Sequence, residues 1–238
     1  MKIKNLLSFL LVAMMTFAVS NTYAQLSSPE RQNPKKVRKA WNKEEKSLLK
    51  EVRSKAVKEA RKEAKKYRKA DYVIFPGSLP MDKQLEKIWV KQLQENPDGS
   101  PVYIFADGNG VGKTQSAAEL QAMEVAKLQM AGQISNEVNA IIESKIANEQ
   151  IDRETGESLT KVVLGSKNYI VQHLGYVRPG FKVMRNVGRK DIEVNLKLYY
   201  NSEEAYAAAE RAMEAQARAQ LEDEADNLID EINRLFDR

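Results

Sequence analysis

The sequence predicts an α+β fold: a long alanine-rich helix on a small antiparallel sheet, in the order β-α-(α)-β-β-α, with long charged helices at both ends. Three observations predict it. Residues 102–142 run from a short apolar stretch through Gly108, Gly110 and Gly112 into a segment with alanines at helical spacing. Residues 191–200 alternate strictly, with Ile192, Val194, Leu196 and Leu198 on one side. Charge is also divided along the chain. Residues 35–70 hold sixteen Lys and Arg against five Glu, and residues 203–238 hold eleven acids against four Arg.

The chain opens with a pattern read as a secretory signal over residues 1–24. Lys2 and Lys4 form the positive region, residues 6–19 the apolar region, and Thr22-Tyr23-Ala24 places small residues for cleavage. Residues 25–34, with Ser27, Ser28, Pro29 and Pro34, read as a flexible leader. No later run approaches the length of a membrane-crossing helix. The chain has no cysteine, which excludes disulfides, thiol catalysis, cysteine metal sites and a lipidated cysteine. The expected compartment is periplasmic or secreted, with peripheral attachment to an outer membrane open.

Residues 35–70 read as a basic helix with a thin apolar line at Leu49, Val52, Ala56, Ala60, Ala64 and Tyr67. Its candidate polyanion or partner patch is Lys35, Lys36, Arg38, Lys39, Arg61, Lys62, Lys65, Lys66, Arg68 and Lys69. The α+β domain is expected over residues 71–200, with its core in 102–200. It begins with the apolar run Tyr72-Val73-Ile74-Phe75, ended by Pro76-Gly77. A helix entered at Pro80 then carries Leu85, Ile88, Trp89 and Leu93 on one face, and Trp89 reads as core. Asn96-Pro97-Asp98-Gly99 is a turn in which Pro presets φ and Gly takes the left-handed position.

Gly112-Lys113-Thr114 matches the end of a phosphate-binding loop, but the first glycine of G-x-x-x-x-G-K-[ST] is replaced by Asp107. A carboxylate there repels phosphate, no apolar strand ending in Asp follows, and the glycines also miss the dinucleotide spacing. They read instead as a sharp strand-to-helix turn that uses positive φ. The helix after it has a capping-box pattern at Ser116 and Glu119. One face carries Leu120, Met123, Ala131, Ile134, Val138 and Ile141. A second, small face carries Ala118, Ala122, Val125, Ala126 and Gly132, so both are expected to be covered.

Residues 152–156 read as a loop. Leu159, Val163, Ile170 and Leu174 then favour a further helix, with a strand left open; the single histidine, His173, ends it and reads as structural. A hairpin follows, with a first arm at 176–185 and a turn at 186–190. Asn201 and Glu204 cap a final acidic helix over residues 201–238. Its seam of Leu221, Ala225, Leu228, Ile232 and Leu235 is narrow. The opposite charges suggest that Leu49, Val52 and Ala56 pair with Leu228, Ile232 and Leu235, within a chain or between chains.

Gly108-Asn109-Gly110, then Ala118, Ala122 and Ala126, then Gln133-Ile134 and Val138, resemble the LPP-twenty lipoprotein and FlgT N-terminal-like group of bacterial envelope domains. Pro76-Gly77-Ser78-Leu79-Pro80 and Ser166-Lys167-Asn168 are similar to secreted proteins of Bacteroidetes-type bacteria that share this domain. The resemblance spans about residues 72–215. It implies a compact α+β domain and carries over no catalytic residues; without the acylated cysteine, membrane anchoring does not transfer.

No residue set presents a catalytic, cofactor-binding or metal-binding constellation in the sequence, so no cofactor is expected. The expected function is that of a non-enzymatic envelope protein with a structural or adaptor role, partnered by other envelope proteins or by itself. The alternative is a binder of anionic envelope polymers or lipid headgroups through the basic helix, with nucleic acid disfavoured by export.

Overall fold

The computed structural model describes residues 34–220 and 225–236. The expected signal segment, the leader before residue 34 and Leu221 lie outside the described residues. Among the described residues, seven helices and four strands follow in the order α1 (Pro34–Lys69), β1 (Val73–Ile74), α2 (Met81–Gln92), β2 (Tyr103–Gly112), α3 (Gln115–Ala147), α4 (Arg153–Gly165), α5 (Lys167–His173), β3 (Pro179–Val187), β4 (Asp191–Asn201), α6 (Ser202–Gln220) and α7 (Ala225–Phe236). The strands form one antiparallel sheet in the order β1-β3-β4-β2. The fold is therefore α+β, and the predicted order of strand, long helix, hairpin and helix is present.

Pairing register explains the two faces. Ala106 lies opposite Leu198, Gly108 opposite Leu196 and Gly110 opposite Val194. Ala106, Val194, Leu196 and Leu198 share a buried cluster with Ala118, Ala122 and Ala126 of α3. A Cβ on Gly108 would stand 1.9 Å from the Ala122 carbonyl oxygen, and one on Gly110 2.3 Å from that of Ala118. Glycine is thus required because the helix backbone lies directly on the strand. This corrects the expected glycine turn. Residues 107–112 are extended strand, and none of the three glycines has positive φ. The reversal occurs at Lys113-Thr114, and the strand leaves no phosphate cradle.

The helix start also differs from the expectation. Thr114 is the N-cap, its side chain accepting from the Ala117 amide, while Glu119 reaches across to Lys182 at 2.6 Å. The later half of α3 is covered twice, by the sheet side and by α4, α5 and α6, which bury Ile134, Val138 and Ile142. The first half has only the sheet to lie on. Leu120 is 65% exposed and Val125 42%, so the expected burial of these two positions fails where no second layer exists.

The segment left between helix and strand is helical. Leu159 and Val163 in α4, and Ile170 and Leu174 at α5, are all buried. The two helices meet at buried Ser166, whose hydroxyl donates to the Val163 carbonyl at 2.9 Å. His173 closes α5. Asn201 caps α6 by accepting from the Glu203 and Glu204 amides at 2.9 and 3.2 Å.

The opposite face of the sheet is also buried. Phe181 and Val183 of β3 point there, against Ala60 and Ala64 of α1 and Leu85 and Ile88 of α2. The last turns of the basic helix therefore belong to a second core. This overturns pairing of the two ends within the chain. Leu228, Ile232 and Leu235 are consumed by the first core, and α1 docks on the other face. Ala56 is buried and Val52 half-buried, while the Leu49 side chain lies outside the described residues. Leu228, Ile232 and Leu235 pack with the helices of the first core, and the described part of the α1 line turns toward the second, so the described positions of one seam do not meet the other within the chain.

Candidate functional site

The predicted basic patch sits on α1, where a stripe of small residues decides which way it faces. Ala56, Ala60 and Ala64, spaced four apart, are buried, and this spacing turns the same side of each helical turn inward. Arg61, Lys62, Lys65, Lys66, Arg68 and Lys69 are consequently exposed. Among the described cations of α1, ion pairs engage Lys62, 3.7 Å from Glu59, and Arg68, 3.2 Å from Asp82. The side chains of Lys35, Lys36, Arg38 and Lys39 lie outside the described residues.

Beneath this row, a polar cluster occupies the sheet. The Lys197 ammonium is 2.9 Å from Asp107 and 3.5 Å from Glu63. Glu63 also accepts from the Trp89 indole N–H at 2.8 Å, and the Tyr67 hydroxyl donates to Asn195 at 3.0 Å. Trp89, Lys62 and Lys66 help line the adjoining cleft of 620 Å³. Trp89 is half-buried against the second core, in line with the core reading, and its N–H fixes α2 to α1.

Electrostatics explains what the cluster does. Burial pulls the Lys197 pKa down, but Asp107 and Glu63 outweigh it and hold the value above the usual lysine range. Burial, then Glu63 and Asp107, push the Tyr67 phenol up. An ammonium neutralised by two carboxylates and a phenol held protonated are poor nucleophiles and poor bases at neutral pH. The arrangement is a clamp that fixes α1 over the sheet.

A second clamp lies beside it. Glu193 accepts from Asn109 at 2.6 Å and from Arg185. Arg185 also donates to the Ala70 carbonyl at 3.1 Å and lies 4.6 Å from the Tyr72 ring centre. Burial raises the Glu193 pKa, yet hydrogen bonds from Asn109, Arg185 and Tyr72 overcome this and hold it below the ordinary glutamate value of 4.5. A depressed folded pKa gives stability that is complete above the unfolded value and is lost as pH falls through the folded one. Stability is therefore expected to decline below pH 4.5. Glu193→Gln should flatten that part of the profile in urea titrations read at successive pH values. An unchanged acid limb would remove this clamp from the account.

Sequence reasoning read Asp107 as a group that repels phosphate and missed its partner. The signal was available in the strand alternation. Asp107 and Asn109 in β2, and Asn195 and Lys197 in β4, all occupy polar positions, and pairing sets Asp107 opposite Lys197. Lys113, the lysine of the false nucleotide motif, points to Asp191 at 2.7 Å. Among the described residues, no group of three or more His, Cys, Asp or Glu side chains could hold a metal ion, and no helix is long and apolar enough to cross a membrane.

Compared with known protein families, curated proteins and solved structures, the chain shows no match.

Proposed function

We propose that this chain is a non-enzymatic, exported component of the cell envelope that works by binding, and that the outer side of α1 is a binding face. The observation that carries this reading is the row of exposed α1 cations that have no carboxylate partner among the described residues. Arg61, Lys65, Lys66 and Lys69 stand there on a helix clamped to the sheet. Like charges held on a rigid scaffold repel one another, and an anionic partner relieves that cost. The expected signal segment and the envelope-domain resemblance support export and an adaptor or structural role.

Two partner classes follow from the sequence: another envelope protein, or an anionic polymer or headgroup. The packing favours the second. Among the described residues, Leu228, Ile232, Leu235, Ala60 and Ala64 of those seams are used inside the fold, and exposed charge is what the described part of α1 leaves over. The test uses the chain beginning at Gln25, incubated with isolated envelope fractions at low and high salt. Screening shortens to about 3 Å at 1 M salt, so the bound protein should be released there. Retention at high salt would instead support an apolar protein contact, and no retention at low salt would sink the reading.

A further inference from the structure

A second basic surface lies away from the Lys197 cluster. It is a groove of 940 Å³ between the exposed side of α2 and the start of β3, reached at one end by Arg53 of α1. Lys83, Lys87, Lys91, Arg178 and Lys182 also line it, with Glu86 the single carboxylate. Lys83 is satisfied by Glu86 at 2.7 Å and Lys182 by Glu119 at 2.6 Å. Among the described residues, Arg53, Lys87, Lys91 and Arg178 have no ion pair.

What holds Lys91 and Arg178 is aromatic. The Lys91 ammonium stands 3.8 Å from the Tyr103 ring centre and 4.4 Å from that of Tyr199. The two rings meet edge to face at 5.6 Å. The groove continues past them into a smaller hollow of 370 Å³ that shares Lys91, Tyr103, Arg178 and Tyr199 and adds Tyr176 and one further carboxylate, Glu204. The Arg178 guanidinium lies 5.7 Å from the Tyr176 ring centre, and Tyr176 is 83% exposed. A tyrosine so open presents a flat apolar ring, with its hydroxyl free for hydrogen bonding, next to a cation.

We propose that this groove binds an acidic polysaccharide, a chain of sugar rings bearing carboxylate or phosphate groups. The anions would meet Arg53, Lys87, Lys91 and Arg178 in turn, and a sugar ring would lay its C–H face on Tyr176. This inference rests on the reading of the protein as a binder of anionic envelope material, and it names the ligand class and a site separate from the α1 row. Leu79, Val90 and Pro179 also line the groove, and what favours a polysaccharide over an acidic peptide is the open Tyr176 ring beside Arg178, a surface for a repeating sugar face. A line of cations with an exposed ring matches a ligand whose charge and flat apolar faces repeat along its length.

The test titrates the chain from Gln25 with polyuronate oligosaccharides, and in parallel with polyglutamate and with anionic phospholipid vesicles. Two variants accompany it. One replaces groove residues (Lys91→Gln with Arg178→Gln), and the other replaces the α1 row (Arg61→Gln with Lys65→Gln and Lys66→Gln). The proposal expects polyuronate to bind the unaltered chain more tightly than polyglutamate or vesicles do. It expects the groove variant to lose about tenfold or more in affinity, the size of roughly 1.4 kcal/mol of lost charge contact. Tyr176→Ala, an exposed substitution that leaves the fold intact, should weaken polyuronate binding while sparing polyglutamate. If the groove variant binds polyuronate as the unaltered chain does and the α1-row variant does not, the groove proposal is overturned while the functional reading stands. Preference for polyglutamate or vesicles overturns the ligand class. Absence of binding to all three probes overturns both.

Discussion

Gly108→Ala is expected to destabilise the protein by about 3 kcal/mol or more, at the upper end of what overpacking a close contact costs. The new methyl group would enter a space occupied by the Ala122 carbonyl oxygen and, at 2.8 Å, the Ala126 methyl. A flexible side chain could swing away, but the obstacle here is backbone in the middle of a helix. Relief requires α3 to lift from β2, which opens the packing of Ala118, Ala122 and Ala126 together. For a domain of this size, the melting temperature should fall by roughly 6–12 °C. Gly132→Ala is the control. Its added methyl would meet only the far end of Lys167 at 3.4 Å, and alanine is the better helix former by about 1 kcal/mol. It should therefore hold or raise the melting temperature. Equal losses in both variants would contradict the close helix-on-strand contact.

Phe181→Ala should cost about 3–5 kcal/mol, the usual range for emptying a buried aromatic site. Phe181 is fully buried on the face of the sheet away from α3, with the Tyr67 ring 4.8 Å from its own. It joins α1 and α2 to the hairpin. The damage should be local as well as global. Limited proteolysis should cut first within residues 56–70, where the helical backbone beside the exposed Lys and Arg opens as α1 loosens. Thermal melts and peptide mapping of the digest would check both parts. A loss under about 1 kcal/mol would mean that this face is not a core.

These two positions show what the sequence could and could not reveal. The alternation of Val194, Leu196 and Leu198, the alanine spacing of α3 and the turn at Gly99 are local patterns, and each is in place. The tight strand at Gly108 was not legible, because glycine serves a turn and a close approach equally well in sequence. What separates them is the helix lying on the strand, a contact made between elements. The failure at Leu120 has a similar origin. Periodicity states which residues share a helix face, but not how far along the helix a covering layer extends.

The candidate site divides in the same way. The α1 cations were visible as composition, and the inward stripe of Ala56, Ala60 and Ala64 placed them on the outside. The groove was not visible. Arg53, Lys91, Tyr103, Arg178 and Tyr199 come from five elements or their flanks, and only the sheet order brings them together. Pairing between the ends was inferred from complementary charge. Narrow seams need cover, yet the helices of the first core cover Leu228, Ile232 and Leu235, and the second core covers Ala60 and Ala64, without requiring the ends to meet.

Hydrogen exchange of the chain beginning at Gln25, resolved to short peptides, addresses directly whether α1 is part of the folded body. The amides of residues 56–69 should exchange as slowly as those of β3 and β4, because opening them requires separating Ala60 and Ala64 from Phe181 and breaking the Lys197–Glu63 contact. Exchange of residues 56–69 at the rate of an isolated helix, while β3 and β4 stay protected, would show that the basic helix is undocked and that its cation row has no fixed scaffold.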